Sequence, residues 1–248
     1  MKKLMKFELR QLFRMKSFYI CLLISMAFTA LSVIVNVFIA KETGTQQGSA
    51  LAFDSLLSVV SNGQLEILLA VFVSLFICSD YMEGTIKNVI SHGFSRGQVY
   101  FVKYINLILT GWIFAICDMV LSFVMMVAMR GVGTPSANLL SVLLINFLII
   151  VAFVSLFQFF AVFFRKNGGA IAVGIVFPLC LSIVITVFQA LLRNTNLDLS
   201  MVSLSGCLSV LSGASVTVKQ MGISILSGVA YILLFGIAGM FVIRRREL

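Results

Sequence analysis

Residues 79–104 read "SDYMEGTIKNVISHGFSRGQVYFVKY". This charged, glycine-punctuated stretch sits between two long apolar segments, in a chain that is 60% hydrophobic. A connection that only reversed the chain would need a handful of residues. Within it, Met82, Ile86, Val89 and Ile90 fall at i, i+4, i+7 and i+8 and so share one face of a helix. Glu83, Lys87 and Asn88 take other faces, and Gly93 is suited to end the helix. The stretch predicts a short amphipathic helix whose apolar face needs either lipid headgroups or a protein groove.

The segments on either side decide the class. Only 11% of the residues are charged, where a soluble domain averages about 25%. Apolar windows of about 19 residues, the length that spans a bilayer as helix, occur at residues 18–40, 56–79, 101–129, 138–164, 168–192 and 220–243. Short alternating strands of the outer-membrane barrel type are absent from the pattern. The expectation is an all-α membrane protein, one six-helix transmembrane bundle over residues 1–248. The second span reads least cleanly, because Asn62, Gln64 and Glu66 interrupt its first half. Pro178 lies inside the fifth and is expected to kink it.

The basic residues orient the bundle. With the N-terminus inside, 14 of the 18 Lys and Arg fall on inner segments, and only Lys41, Arg130, Arg193 and Lys219 fall outside. The positive-inside rule therefore gives N-in and C-in, and it accounts for the net charge of +9 without a nucleic-acid partner. The apolar run after the basic start is too long for a signal-peptide core, so the first span is expected to be retained.

Two further segments are amphipathic. In residues 1–16, "MKKLMKFELRQLFRMK", the basic residues Lys2, Lys3, Lys6, Arg10 and Arg14 share one arc and Leu4, Met5, Leu9, Leu12 and Met15 the other. This predicts an N-terminal interfacial helix on anionic membrane lipid. Glu8 projects into its apolar arc and needs a partner from another element. The last outer connection, residues 193–219, is too apolar for a solvated loop, with Leu204, Leu208 and Leu211 at helical spacing. Short outer helices between spans five and six, packed against the bundle, would satisfy its backbone.

Enzyme chemistry finds no support. His92 is the sole histidine and there is no G-x-x-x-x-G-K-[ST], so this chain has no P-loop for ATP. Cys21, Cys78, Cys117 and Cys180 lie within spans and Cys207 stands alone, which supports neither a metal site nor a disulfide framework. Glu66 and Asp118 are acids within spans, each costing about 2.5–3.5 kcal/mol at a helix centre on insertion scales. They are read either as locally hydrogen-bonded or as lining a path for a cationic or amphipathic substrate. Ser224, Gly228, Gly236 and Gly239 give the last span a small-residue face, fit for close packing in the bundle or for a dimer seam.

The pattern D-Y-x-E-G-T-I-K-N-x-x-S-x-G-x-S-R-x-x-x-Y-x-x-K, from Asp80 to Lys103, resembles the segment after the second span of type-2 ABC transporter permeases, in the group with bacitracin- and lantibiotic-associated transporters. The opening F-E-L-R-Q-L-F-R-M-K-S is similar to that family's N-terminal E-x-x-K-L-x-R-x-K element, with Gln11 where Lys is usual. The resemblance implies a permease without its motor, paired with a separate ATPase subunit. Residues 82–90 would be the cytoplasmic coupling helix between spans two and three. Its ATPase contacts would come from Met82, Glu83, Gly84, Thr85, Ile86, Lys87, Val89, Ile90 and Arg96. The N-terminal element, with Glu8, Arg10 and Arg14, would be the connecting helix, Glu8 pairing with the ATPase or with Lys87 or Arg96.

The implied unit is two permeases, expected as a homodimer, and two ATPases that carry the ATP and Mg, in a bacterial cytoplasmic membrane. It would export amphipathic antimicrobial or toxin peptides, or in a neighbouring reading small hydrophobic drugs. The reading from another class is an ion-coupled transporter or channel using Glu66 and Asp118, which would work without an ATPase.

Overall fold

The computed structural model describes residues 2–42, 51–85, 89, 91, 93–132, 138–191, 199–213 and 216–245. Every element among them is helical: α1 Lys2–Arg14, α2 Lys16–Glu42, α3 Leu51–Ser61, α4 Gln64–Met82, α5 Arg96–Arg130, α6 Leu139–Phe164 and α7 Asn167–Leu191. A short 3-10 turn Leu199–Val202, α8 Leu204–Leu211 and α9 Val218–Arg245 complete them. Six of these helices, α2, α4, α5, α6, α7 and α9, are long and apolar enough to cross a membrane. The chain is a multi-pass membrane protein.

The helix ends follow local chemistry. Ser95 caps α5 by accepting from the Gln98 amide while the Gln98 side chain accepts from the Ser95 amide, a capping box that satisfies two orphan donors. Gly93 just ahead has φ +90°, a left-handed turn that glycine takes without steric cost. At 35 residues and about 1.5 Å per residue, α5 is some 52 Å long against a hydrocarbon core of about 30 Å. Its ends therefore reach beyond the apolar layer.

The second predicted span is not one helix. It is split into α3 and α4 at Asn62–Gly63, where Gly63 takes φ +72°. The polar residues that interrupted the hydropathy mark this break. Glu66 consequently lies in the first turn of α4, where the unpaired amides of a helix start favour a carboxylate. It therefore lies at the start of the α4 span and not in its middle. The helix α3 takes up part of the expected outer loop and packs along α5, where Ser122 donates to the Ser55 carbonyl and the Phe53 and Phe123 rings meet at 5.4 Å.

The core is built around α4 and α6. Leu69, Phe72, Phe76, Ile149, Ile150, Phe153 and Phe157 are buried almost completely. Close approach is set by small residues: Gly111 on α5 sits against Ile150 and Val154, and Gly174 on α7 against Ala70 and Phe157. On α9, Gly228 faces Leu148 and Gly239 faces Tyr100, so these members of the small-residue face serve packing within the chain. Ser224 beside them is fully buried.

The expected helix between the last two spans is α8, capped by the Ser203 side chain. Leu204, Cys207, Leu208 and Leu211 face inward, and Tyr231, well inside α9, donates to the Val202 carbonyl. The connection thus folds down between α7 and α9 with its apolar face buried. It depends on Gly206, where a Cβ would lie 1.9 Å from the Ser200 carbonyl oxygen. Gly206→Ala is expected to lower stability by about 1–3 kcal/mol, as overpacking does. Thermal unfolding in detergent micelles, compared with Gly213→Ala just past the end of α8, measures it.

Candidate coupling site

Three elements meet at the end of the bundle that carries α1. The buried face of α1 is Leu4, Glu8 and Leu12, one residue per turn. Glu8 is thus at the centre of the packed stripe and only 2% exposed. Its partner is Lys103, on the second turn of α5, whose Nζ donates to Glu8 Oε2 at 2.8 Å. The same Nζ donates to Asp80 Oδ2, near the end of α4. Gln11, a turn along α1 from Glu8, donates to the other Asp80 oxygen at 2.8 Å. Lys103 also lies 4.8 Å above the Phe76 ring, an attraction that strengthens with desolvation.

The group is a buried lysine shared between two carboxylates from different helices. Asp80 is 0% and Lys103 5% exposed. Charges this deep persist only when paired and hydrogen-bonded. Burial pushes the Glu8 carboxyl above its ordinary pKa, and Lys103 pulls it back. The sequence expectation for Glu8 is corrected here: Lys103 takes the place given to Arg96 or Lys87, the latter lying outside the described residues. The reason is helical register, since Lys103 points back at α1 and α4 from the start of α5.

The rest of the region is arranged around this group. Residues 82–95, between Asp80 and Lys103, include the expected coupling helix. Their described part has a turn at Glu83 and Gly84, helical geometry at Thr85, Val89 and Ser91, and a turn at Gly93; Ile86, Lys87, Asn88, Ile90 and His92 lie outside the described residues. Val89 and Phe94 pack on a small apolar cluster of Leu4, Val99 and Val102. Val89, assigned by sequence to an external groove, is therefore engaged with α1 and α5, whereas Met82 is 69% exposed.

The helix α1 runs beside the first turns of α5, with Leu4 packed there and Met5, Phe7, Arg10, Phe13 and Arg14 exposed. At the same end, the Arg165 guanidinium stacks over the Tyr81 ring at 5.3 Å and Gln158 donates to the Tyr100 carbonyl. These contacts fasten α6 to α4 and α5.

Of the two acids proposed for a path, Asp118 is 2% exposed in the seam between α2 and α5, where Ser25 donates to it. Glu66 keeps partial exposure at the start of α4. No described contact brings these two together.

A profile described as ABC-2 family transporter protein matches residues 4–189, from α1 through nearly all of α7, three quarters of the chain. The chain belongs to this ABC-2 family. Comparison with curated proteins gave no match. An ABC-2 permease is the membrane component of its transporter and not the ATPase itself. Sequence reasoning singled out Glu8 but missed Gln11, Asp80 and Lys103. The signal was present: Asp80 ends one span and Lys103 begins the next, opposite charges at one depth on neighbouring antiparallel helices.

The sharing of Lys103 makes its substitutions unequal. Lys103→Met strands two buried carboxylates and is expected to cost about 3–5 kcal/mol. Glu8→Gln leaves the Lys103–Asp80 pair intact and should cost much less. Replacing all three charges, Glu8→Gln with Asp80→Asn and Lys103→Met, should recover most of the loss, because no unpaired charge remains. Thermal unfolding of the four proteins in one detergent gives the ranking.

Proposed function

We propose that this ABC-2 protein is the transmembrane permease of an ATP-driven exporter, worked by a separate ATPase that grips residues 82–95. The observation that carries the reading is the buried Glu8–Lys103–Asp80 cluster. It joins the two helices that flank this segment to each other and to α1, so a push on the segment moves all three bases together. A loop with no mechanical duty would gain nothing from charges buried at such cost.

In this reading the α1 end faces the cytoplasm of a bacterial cell, the orientation that puts 14 of 18 basic residues inside. Two permeases, a homodimer, and two ATPases form the unit, with ATP and Mg held on the ATPases. Nucleotide-driven closure of the ATPase pair displaces the coupling segments. Each displacement passes through Asp80 and Lys103 into α4 and α5, and through Glu8 and Gln11 into α1 and α2. The bundles then alternate between inward- and outward-facing states. The cargo class is amphipathic antimicrobial or toxin peptide, exported or cleared for self-protection. Glu66, part-exposed at a helix start in an otherwise apolar bundle, is a suitable contact for the cationic part of such a peptide. Asp118 joins the path only where α2 and α5 separate.

Co-purification with the tagged partner ATPase tests the grip. Met82→Asp and Ile86→Asp are expected to abolish retention of the permease, while thermal unfolding of Met82→Asp stays that of the parent because the side chain is exposed. Undiminished retention of both variants would overturn the coupling role. Peptide efflux from cells tests the path: Glu66→Gln is expected to lower it by roughly tenfold, the loss of one charge-assisted contact, and unchanged efflux removes Glu66 from the path.

A further inference from the structure

A second polar group lies deeper in the bundle and has no role in the coupling region. Asp118 is 22 residues into α5, about 33 Å along the helix, and its carboxyl is sealed between α5 and α2. Ser25 donates to its Oδ2. Thr29, one turn further along α2 and equally buried, makes a lesser contact with the same carboxyl. The other oxygen, Oδ1, is buried with no hydrogen-bond partner.

Nothing described neutralises this carboxyl. The described salt bridges join Lys103 to Glu8 and Asp80, well away from Asp118 along α5. The acids and thiols on the packed elements away from the Lys103 cluster are Cys21 on α2, Cys117 beside it on α5, Asp54 on α3, which is exposed, and Cys78 and the part-exposed Glu66 on α4. Apart from Asp118, the charged residues of α2 and α5 lie toward their ends: Lys16, Lys41 and Glu42 on one, and Arg96, Lys103 and Arg130 on the other. Arg130 is directed to the Val37 carbonyl. The aromatic trio Phe18, Phe72 and Phe114, with ring centroids 5.5–5.9 Å apart, packs on the side of Asp118 toward the Lys103 cluster. An isolated carboxylate in such a setting is costly, and an open acceptor with hydroxyls alongside is the chemistry that holds a small cation.

We infer that Asp118, with Ser25 and Thr29, forms a site for one monovalent cation, H⁺ or Na⁺, in the α2–α5 seam. The site belongs to one chain and is independent of the coupling reading. Its ligands come from two helices, so occupancy is linked to their contact: parting α2 from α5 dismantles the site, and by reciprocity a bound cation favours the closed seam.

Infrared difference spectroscopy of the purified permease in lipid, without ATPase or peptide, decides it. The carbonyl and carboxylate bands of Asp118 are identified as those that Asp118→Asn removes. A carboxylic acid band at low sodium that sodium chloride, but not choline chloride, converts to carboxylate means a sodium site. An acid band that only rising pH converts, unmoved by sodium, means a proton site. In either case Ser25→Ala, which keeps the carboxyl, is expected to shift the midpoint roughly tenfold in cation concentration. A carboxylate signal unchanged by sodium and pH throughout overturns the proposal, as does a midpoint that Ser25→Ala leaves in place.

Discussion

The bond from Lys103 to Glu8 and Asp80 sets the geometry of the α1 end of the molecule. One ammonium satisfies carboxylates on α1 and α4 from its position on α5, at a depth where an unpaired member would be costly. Because the group is all but sealed from solvent, the three helices can separate only by exposing or stranding charge. Apolar packing alone would allow α1 to slide along α5. The ion cluster fixes its rotation and height, since only Glu8 and Gln11 on that helix meet the fixed partners.

This constraint explains why the polar residues of α5 fall where they do. Lys103, Asn106, Thr110, Asp118 and Ser122 are buried and recur along one side of the helix. They form two groups separated by the ring of Phe114, which meets Phe18 and Phe72. In the lower group Lys103 binds α1 and α4 by charge. The upper one uses hydroxyls, with Ser25 on Asp118 and Ser55 against Ser122. Between them the aromatic trio packs α2, α4 and α5 with no polar atom, so the groups act at separate depths. A chain with 23 phenylalanines has the bulk to make such a division.

What the sequence made legible divides along the same physical line. The long apolar helices follow from composition, because a bilayer requires unbroken runs and internal backbone bonding. The turn at Gly93 and the cap at Ser95 follow from residues that act within a few positions of themselves. The buried face of α8 was visible in the spacing of Leu204, Leu208 and Leu211. The break at Gly63 was present only as a doubt about polar residues, since hydropathy averages over a window longer than the turn itself. The partner of Glu8 was not legible, because Lys103 is 95 residues away. Only the packing of α1 against α5 brings them together. The packing of Val89 on Leu4, Val99 and Val102 was illegible for the same reason: periodicity identifies an apolar face but not which surfaces it meets.

The exposed surface supports the same view of where the molecule lives. Ile183, Val184, Val187 and Phe188 on α7, and Leu226, Leu233, Leu234 and Ile237 on α9, are open to the surroundings. An apolar area of this extent is untenable in water but is the expected exterior of a helix bundle in lipid. Past Pro178, α7 has apolar side chains exposed on nearly every side, while its earlier turns pack Gly174 against α4 and α6. Its two halves therefore meet different demands. The first is positioned by close contact, and the second, among the described residues, by the proline and the short outer elements beside it. Mobility in the bundle should concentrate in the second half, far from the ion cluster that holds the opposite end rigid.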